Sequence, residues 1–133
     1  MLRTAILSVS GLALLGAAGA LAQDDPPAFP TTEFAEGAKT ASVEADGITA
    51  TVSLQRRLSV DPTMDVPVLT VAVGGRMVQE VLATPSGFDF PVSEASIAEI
   101  DTSNETPEVY FSSYTGGAHC CNEVYVVEAS GRG

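Results

Sequence analysis

The chain has 133 residues, 17 acidic and six basic, for a formal net charge of −11. An acidic surface excludes nucleic acid as a partner, because phosphates demand a basic face, and it disfavours an anionic membrane surface for the same reason. It leaves a basic protein or a cation as partners that charge would attract, and it also keeps an exported protein soluble.

The N-terminus reads as an address. Arg3 supplies a positive start, "AILSVSGLALLGAAGALA" is apolar and rich in small residues, and Ala20-Leu21-Ala22 is a small-x-small cleavage site. This is the layout of a secretory signal peptide over residues 1–22. No later stretch is apolar for long enough to span a bilayer, so no membrane span is expected after cleavage. The expected location is the periplasm or the outside of the cell. The chain beyond Ala22 has the size of one small domain.

Residues 23–41, "QDDPPAFPTTEFAEGAKTA", hold three prolines and few apolar residues. They read as a Pro-rich linker or mobile arm. A single β-rich domain is expected over residues 42–133. Asp46-Gly47 separates "SVEA" from "ITATVSL", and a two-residue Asp-Gly loop signals a hairpin. Ile48, Ala50, Val52 and Leu54 alternate with polar residues, the period of a strand with one buried face. Val66 to Val73 and Arg76 to Ala83 flank Gly74-Gly75 in the same way. The first of these arms is apolar on both faces and reads as a central strand, with Pro67 tolerated at its start.

"TPSGFDFPVSE" is a loop from which Phe88 and Phe90 are expected to plug the core. "ASIAEID" reads as a strand, with a short helix as the alternative. "DTSNETP" is a polar loop, "EVYFSSY" a strand rich in aromatic and β-branched residues, and "NEVYVVEA" another. The pattern predicts about seven strands and a mainly β fold, with antiparallel hairpins forming a small sandwich or open barrel. The ending "EASGRG" reads as a turn soon after a strand. That suits either a chain shortened at its C-terminus or an edge strand with a loose tail.

One stretch gathers the chemistry. "YTGGAHCCN", residues 114–122, holds the only histidine, His119, and both cysteines, Cys120 and Cys121, behind Gly116 and Gly117. Three states of the thiols are open: a vicinal disulfide, a reduced pair that is buried or metal-bound, and a bridge to another chain or to a missing C-terminal part. The first leads, because free exposed thiols rarely persist in an oxidising compartment. Such a bridge closes a small ring and is structural, with little loop entropy to remove. A metal site is the sharper alternative, since His119, Cys120 and Cys121 suit zinc or copper. Spacing opposes it: on an extended backbone the middle residue points away from the other two, and no fourth His or Cys exists. The expectation is therefore no metal and no cofactor. Catalytic motifs are missing, with neither a C-x-x-C pair nor a G-x-S-x-G elbow, and the carboxylates are too many for any pair to stand out. Asp101, Ser103, Glu105 and Glu108 space oxygen ligands as calcium requires. Thr106-Pro107 stands where a glycine is needed, and a solvated loop is the preferred reading. Asn104-Glu105-Thr106 matches a glycosylation acceptor with a hindering proline behind it.

Residues 98–127, an acidic turn followed by a strand ending in "YTGGAHCC", resemble a pattern in uncharacterised exported proteins of proteobacteria. The resemblance marks Asp101, Glu108, Gly116, Gly117, His119, Cys120 and Cys121. It implies export and no assigned activity, and it implies a longer chain in its members. The chain departs from the pattern at "TSNETP", where the family carries an Asp-Gly-rich loop. The function expected is that of an exported, non-enzymatic binding or envelope-associated module. The alternatives are a periplasmic metal-binding protein using His119, Cys120 and Cys121, and an acidic secreted enzyme inhibitor.

Overall fold

The computed structural model describes residues 29–117 and 121–130. Among them the fold is all β, in two antiparallel sheets that do not close into a barrel. The first runs in order β1 (Thr40–Ala45), β2 (Ile48–Arg56), β3 (Asp65–Val73) and β4 (Arg76–Leu82). The second holds β5 (Ser93–Ala98), β6 (Glu108–Tyr114) and β7 (Asn122–Glu128). Within each sheet every strand pairs with its sequence neighbour. Both glycine turns fall where the sequence places them. Asp46 and Gly47 take φ of 53° and 75°, and Gly74 and Gly75 take 56° and 80°. Positive φ at both central positions is the turn whose twist matches a hairpin.

The sheets pack as a small sandwich. Ile48, Ala50 and Val52 of β2 and Leu69 and Val71 of β3 meet Ala95, Ile97, Val109 and Phe111 of the second sheet. Phe111 is fully buried and stacks on Tyr125, centroids 5.7 Å apart. As expected, β3 is central, with Leu69 and Val71 buried on one face and Val66 and Val68 on the other. Pro67 lacks an N–H, but its carbonyl accepts from Ala83 at 2.9 Å, so the backbone there still pairs.

Two expectations are corrected. The arm expected over residues 23–41 is engaged in its described part. Thr31 bridges to Ser96, the Thr32 amide donates to the Ala95 carbonyl at 2.9 Å, and the Ile97 amide donates to the Pro30 carbonyl at 3.0 Å. Thr32 is buried, Phe34 packs on the core, and β1 begins at Thr40, ahead of the expected boundary. The edge of β5 offers backbone groups that need partners, and this segment satisfies them although its composition carries little apolar driving force. The second correction concerns Phe88 and Phe90. They lie outside the core, 37% and 54% exposed, and contact each other with centroids 5.1 Å apart.

Candidate binding turn at the sandwich tip

The β6–β7 connection leaves the sheet at the pair Tyr114 and Asn122. Thr115 closes its neck: both its amide and its Oγ1 donate to the Cys121 carbonyl, each at 2.8 Å. The Tyr114 hydroxyl donates to the Gly117 carbonyl. Gly116 has φ of 92°, and a Cβ there would stand 2.8 Å from the Ser86 carbonyl oxygen. Only glycine satisfies both the dihedral and the space. Cys121 has φ of 111°, a strained value for a residue with a Cβ, and such values persist only where the surroundings over-determine them. Of the motif read from the sequence, Gly116, Gly117 and Cys121 are thus placed in this turn, whereas His119 and Cys120 lie outside the described residues.

The turn is buttressed by the loop joining the two sheets, residues 83–92. Phe88 stacks on Tyr114 with centroids 6.0 Å apart and 21° between planes. The Tyr114 amide donates to the Val92 carbonyl at 3.1 Å. Thr84 donates from its amide at 2.8 Å and from Oγ1 at 2.5 Å to the Glu123 carboxylate, which also accepts from the Tyr125 hydroxyl at 3.0 Å. Hydrogen bonds from Thr84 hold the Glu123 carboxyl below the usual range. Burial and the neighbouring carboxylate push the Tyr125 phenol up. Glu123 therefore serves as an anchor for the loop. Beneath the tip, Ser93 and Ser113 hydrogen-bond at 2.9 Å out of water. Beside it lies an open cleft of about 340 Å³ lined by Pro91, Glu94, Ser112, Tyr114 and Asn122 among others. Thr84, Ser86 and Glu123 escaped the sequence reading because nothing local in "ATPSG" or "NEVY" announces a partner some 30 to 40 positions away in the chain.

The acidic turn sits at the other end of β6. Glu108 is only 2% exposed. Its Oε2 accepts from the amides of Ile100 at 2.8 Å and Asp101 at 3.1 Å, and its Oε1 from Asn104 Nδ2 at 3.1 Å. These bonds, the Asp101 amide first, hold its carboxyl below the ordinary value. Asp101 Oδ1 accepts from the Ser103 amide, and Asn104 Oδ1 from the Thr106 amide. Burial, then repulsion from Glu108 and Asp101, pushes the Glu99 carboxyl up. The oxygens of Asp101 and Glu108, spaced like calcium ligands, are thus spent on the loop's own N–H groups. Among the described residues no group of three His, Cys, Asp or Glu is placed to hold a metal. The residues marked by the resemblance divide accordingly, Asp101 and Glu108 at one end of β6 and Gly116, Gly117 and Cys121 at the other.

No family model and no solved structure matches the chain. A probable thylakoid lumen protein of Synechocystis sp. is 32% identical over 93 residues, which span 68% of this chain and 26% of the relative. The chain thus spans about a quarter of the length of this curated relative. The similarity concerns one part of a longer protein.

Proposed function

We propose that the protein is an exported, non-enzymatic binding module whose contact surface is the sandwich tip, with the β6–β7 turn held by a disulfide between Cys120 and Cys121. The observation that carries this reading is the clamping of the turn against the inter-sheet loop. Gly116 passes under Ser86, Tyr114 stacks on Phe88, and Phe88 and Phe90 remain exposed beside the turn. Exposed aromatic rings on a rigid support lose little entropy on contact and suit recognition of a partner that offers apolar groups. The positive φ of Cys121 and the absence of a free cysteine among the described residues support the disulfide.

Export to the periplasm or outside rests on the N-terminal pattern. It is supported by the similar cyanobacterial protein, whose name places it in the thylakoid lumen, a compartment beyond a membrane. The deciding experiment is the intact mass of the exported protein purified without reductant, with and without thiol alkylation. Cleavage after Ala22, a mass lower by two hydrogens and no uptake of alkylating agent are expected. Alkylation of both cysteines without reductant overturns the disulfide. Alkylation that requires a chelator transfers the motif to metal binding by His119, Cys120 and Cys121.

A further inference from the structure

The sandwich has four sheet edges, and among the described residues three are defended against pairing with another chain. The outer edge of β5 is occupied by the segment around Thr31 and Thr32. The exposed positions of β1 include Thr40, Ser42 and Glu44, all polar. β4 carries Arg76 and Glu80, the latter paired with Arg57 at 2.8 Å, and the register of its pairing with β3 shifts between Val71 and Ala72. Charges, bulges and covering segments are the usual means of keeping an edge from acting as a template.

β7 has neither a bulge nor a covering segment among the described residues, and its charges are the carboxylates of Glu123 and Glu128. No described strand pairs with its outer edge. It holds no Lys, Arg or Pro, and the carboxylate of Glu123 is turned to Thr84 and Tyr125. Val124 and Val126 stand on its outward face, 50% and 54% exposed. The cleft between β7 and β4, lined by Val81, Gln79, Tyr125 and Val127 among others, is open on the same side.

We infer that β7 pairs antiparallel with β7 of a second copy of this chain, about a two-fold axis through Tyr125. The sequence of the strand, "NEVYVVE", is what selects a second copy as the occupant. With Tyr125 opposite its symmetry mate, Val124 faces Val126 of the other copy twice over, Asn122 faces Glu128, and Glu123 faces Val127. No carboxylate meets a carboxylate. Centring the axis on Val124 or Val126 instead sets each of these valines against itself or against Asn122 or Glu128 and loses the paired valine contacts. Apolar cross-strand pairs stabilise a sheet, and like charges directly opposite oppose it. The dimer joins the two three-stranded sheets into one of six strands with an unbroken outer row Ser112–Val124–Val126–Tyr110 across the axis.

The two copies each carry −11, so the association strengthens as salt screens their repulsion. Sedimentation velocity of the full chain, from low micromolar to near-millimolar concentration and at two salt levels, tests this. A concentration-dependent dimer that tightens with salt is expected. Val124→Lys, at an exposed position that the monomer tolerates, weakens it by roughly tenfold or more because two valine pairs are lost at once. Asn122→Lys sets a lysine against Glu128 of the other copy and tightens it at low salt. Met77→Lys on the β4 edge leaves it unchanged. Circular dichroism of each variant checks folding. A monomer at every concentration overturns the proposal, as does a dimer indifferent to Val124→Lys or one lost on Met77→Lys. Failure of Asn122→Lys to tighten the dimer overturns the register. A monomer that instead takes up a synthetic extended peptide along β7 overturns the self-pairing and assigns the edge to another partner.

Discussion

Gly116 and Glu108 carry the sharpest single-residue consequences, one at each end of β6. Replacing Gly116 by alanine drives a Cβ to 2.8 Å from the Ser86 carbonyl at a dihedral that L-residues avoid. The expected loss is about 1–3 kcal/mol, read by urea denaturation, together with release of the loop that carries Phe88. Glu108 sets part of the pH response. Its folded carboxyl is held below the ordinary value by the amides of Asp101 and Ile100 and by Asn104. Its stabilising contribution is therefore complete above the ordinary carboxylate pKa and is lost as pH falls through the lowered folded value. Glu108→Gln removes that titration. The variant should be less stable than the parent at neutral pH, and the gap should close as the medium becomes acidic, in parallel urea series at stepped pH.

At the scale of elements, the hairpins depend on their turn residues. Gly47 sits at φ of 75°, so Gly47→Val should cost about 1–3 kcal/mol, whereas Gly47→Asn should be nearly neutral because Asn tolerates this region. Thermal melts of the two variants separate these outcomes. The turns and the alternation of Ile48, Ala50 and Val52 were legible in the sequence because both depend on neighbours. The engagement of residues 30–34 was not, since it rests on backbone hydrogen bonds to β5, some 65 positions away, which leave no mark in composition. Phe88 and Phe90 misled for a related reason: a phenylalanine in a loop reads as core unless the chain is known to bring Tyr114 alongside. For the candidate site, the glycines were legible as a sharp turn, and their buttress was not. The oxygens at Asp101 and Glu108 were legible as a cluster, but a loop folded back on its own amides spaces carboxylates much as a metal loop does.

For the whole molecule, charge is the dominant collective property. With −11 spread over a small surface, the folded state repels itself more than the expanded chain does. Raising sodium chloride from low levels toward physiological strength should therefore raise the melting temperature, with most of the gain below the physiological point, where the screening length shortens fastest. A melting temperature that is flat across this range would mean that the carboxylates are too well separated or too well hydrogen-bonded to interact.

The sequential strand order also sets a timetable. Among the described residues each of the five strand pairings joins consecutive strands, so each hairpin can zip up as soon as its second arm exists, without waiting for a distant partner. The first sheet has all its members by Leu82 and the second by Glu128. The segment at Thr31 is the exception. It enters first and must wait for β5, because its partner Ser96 lies some 65 positions further along the chain. The head of the domain thus closes over a chain interval that spans the whole first sheet, and its docking depends on β5 being in place.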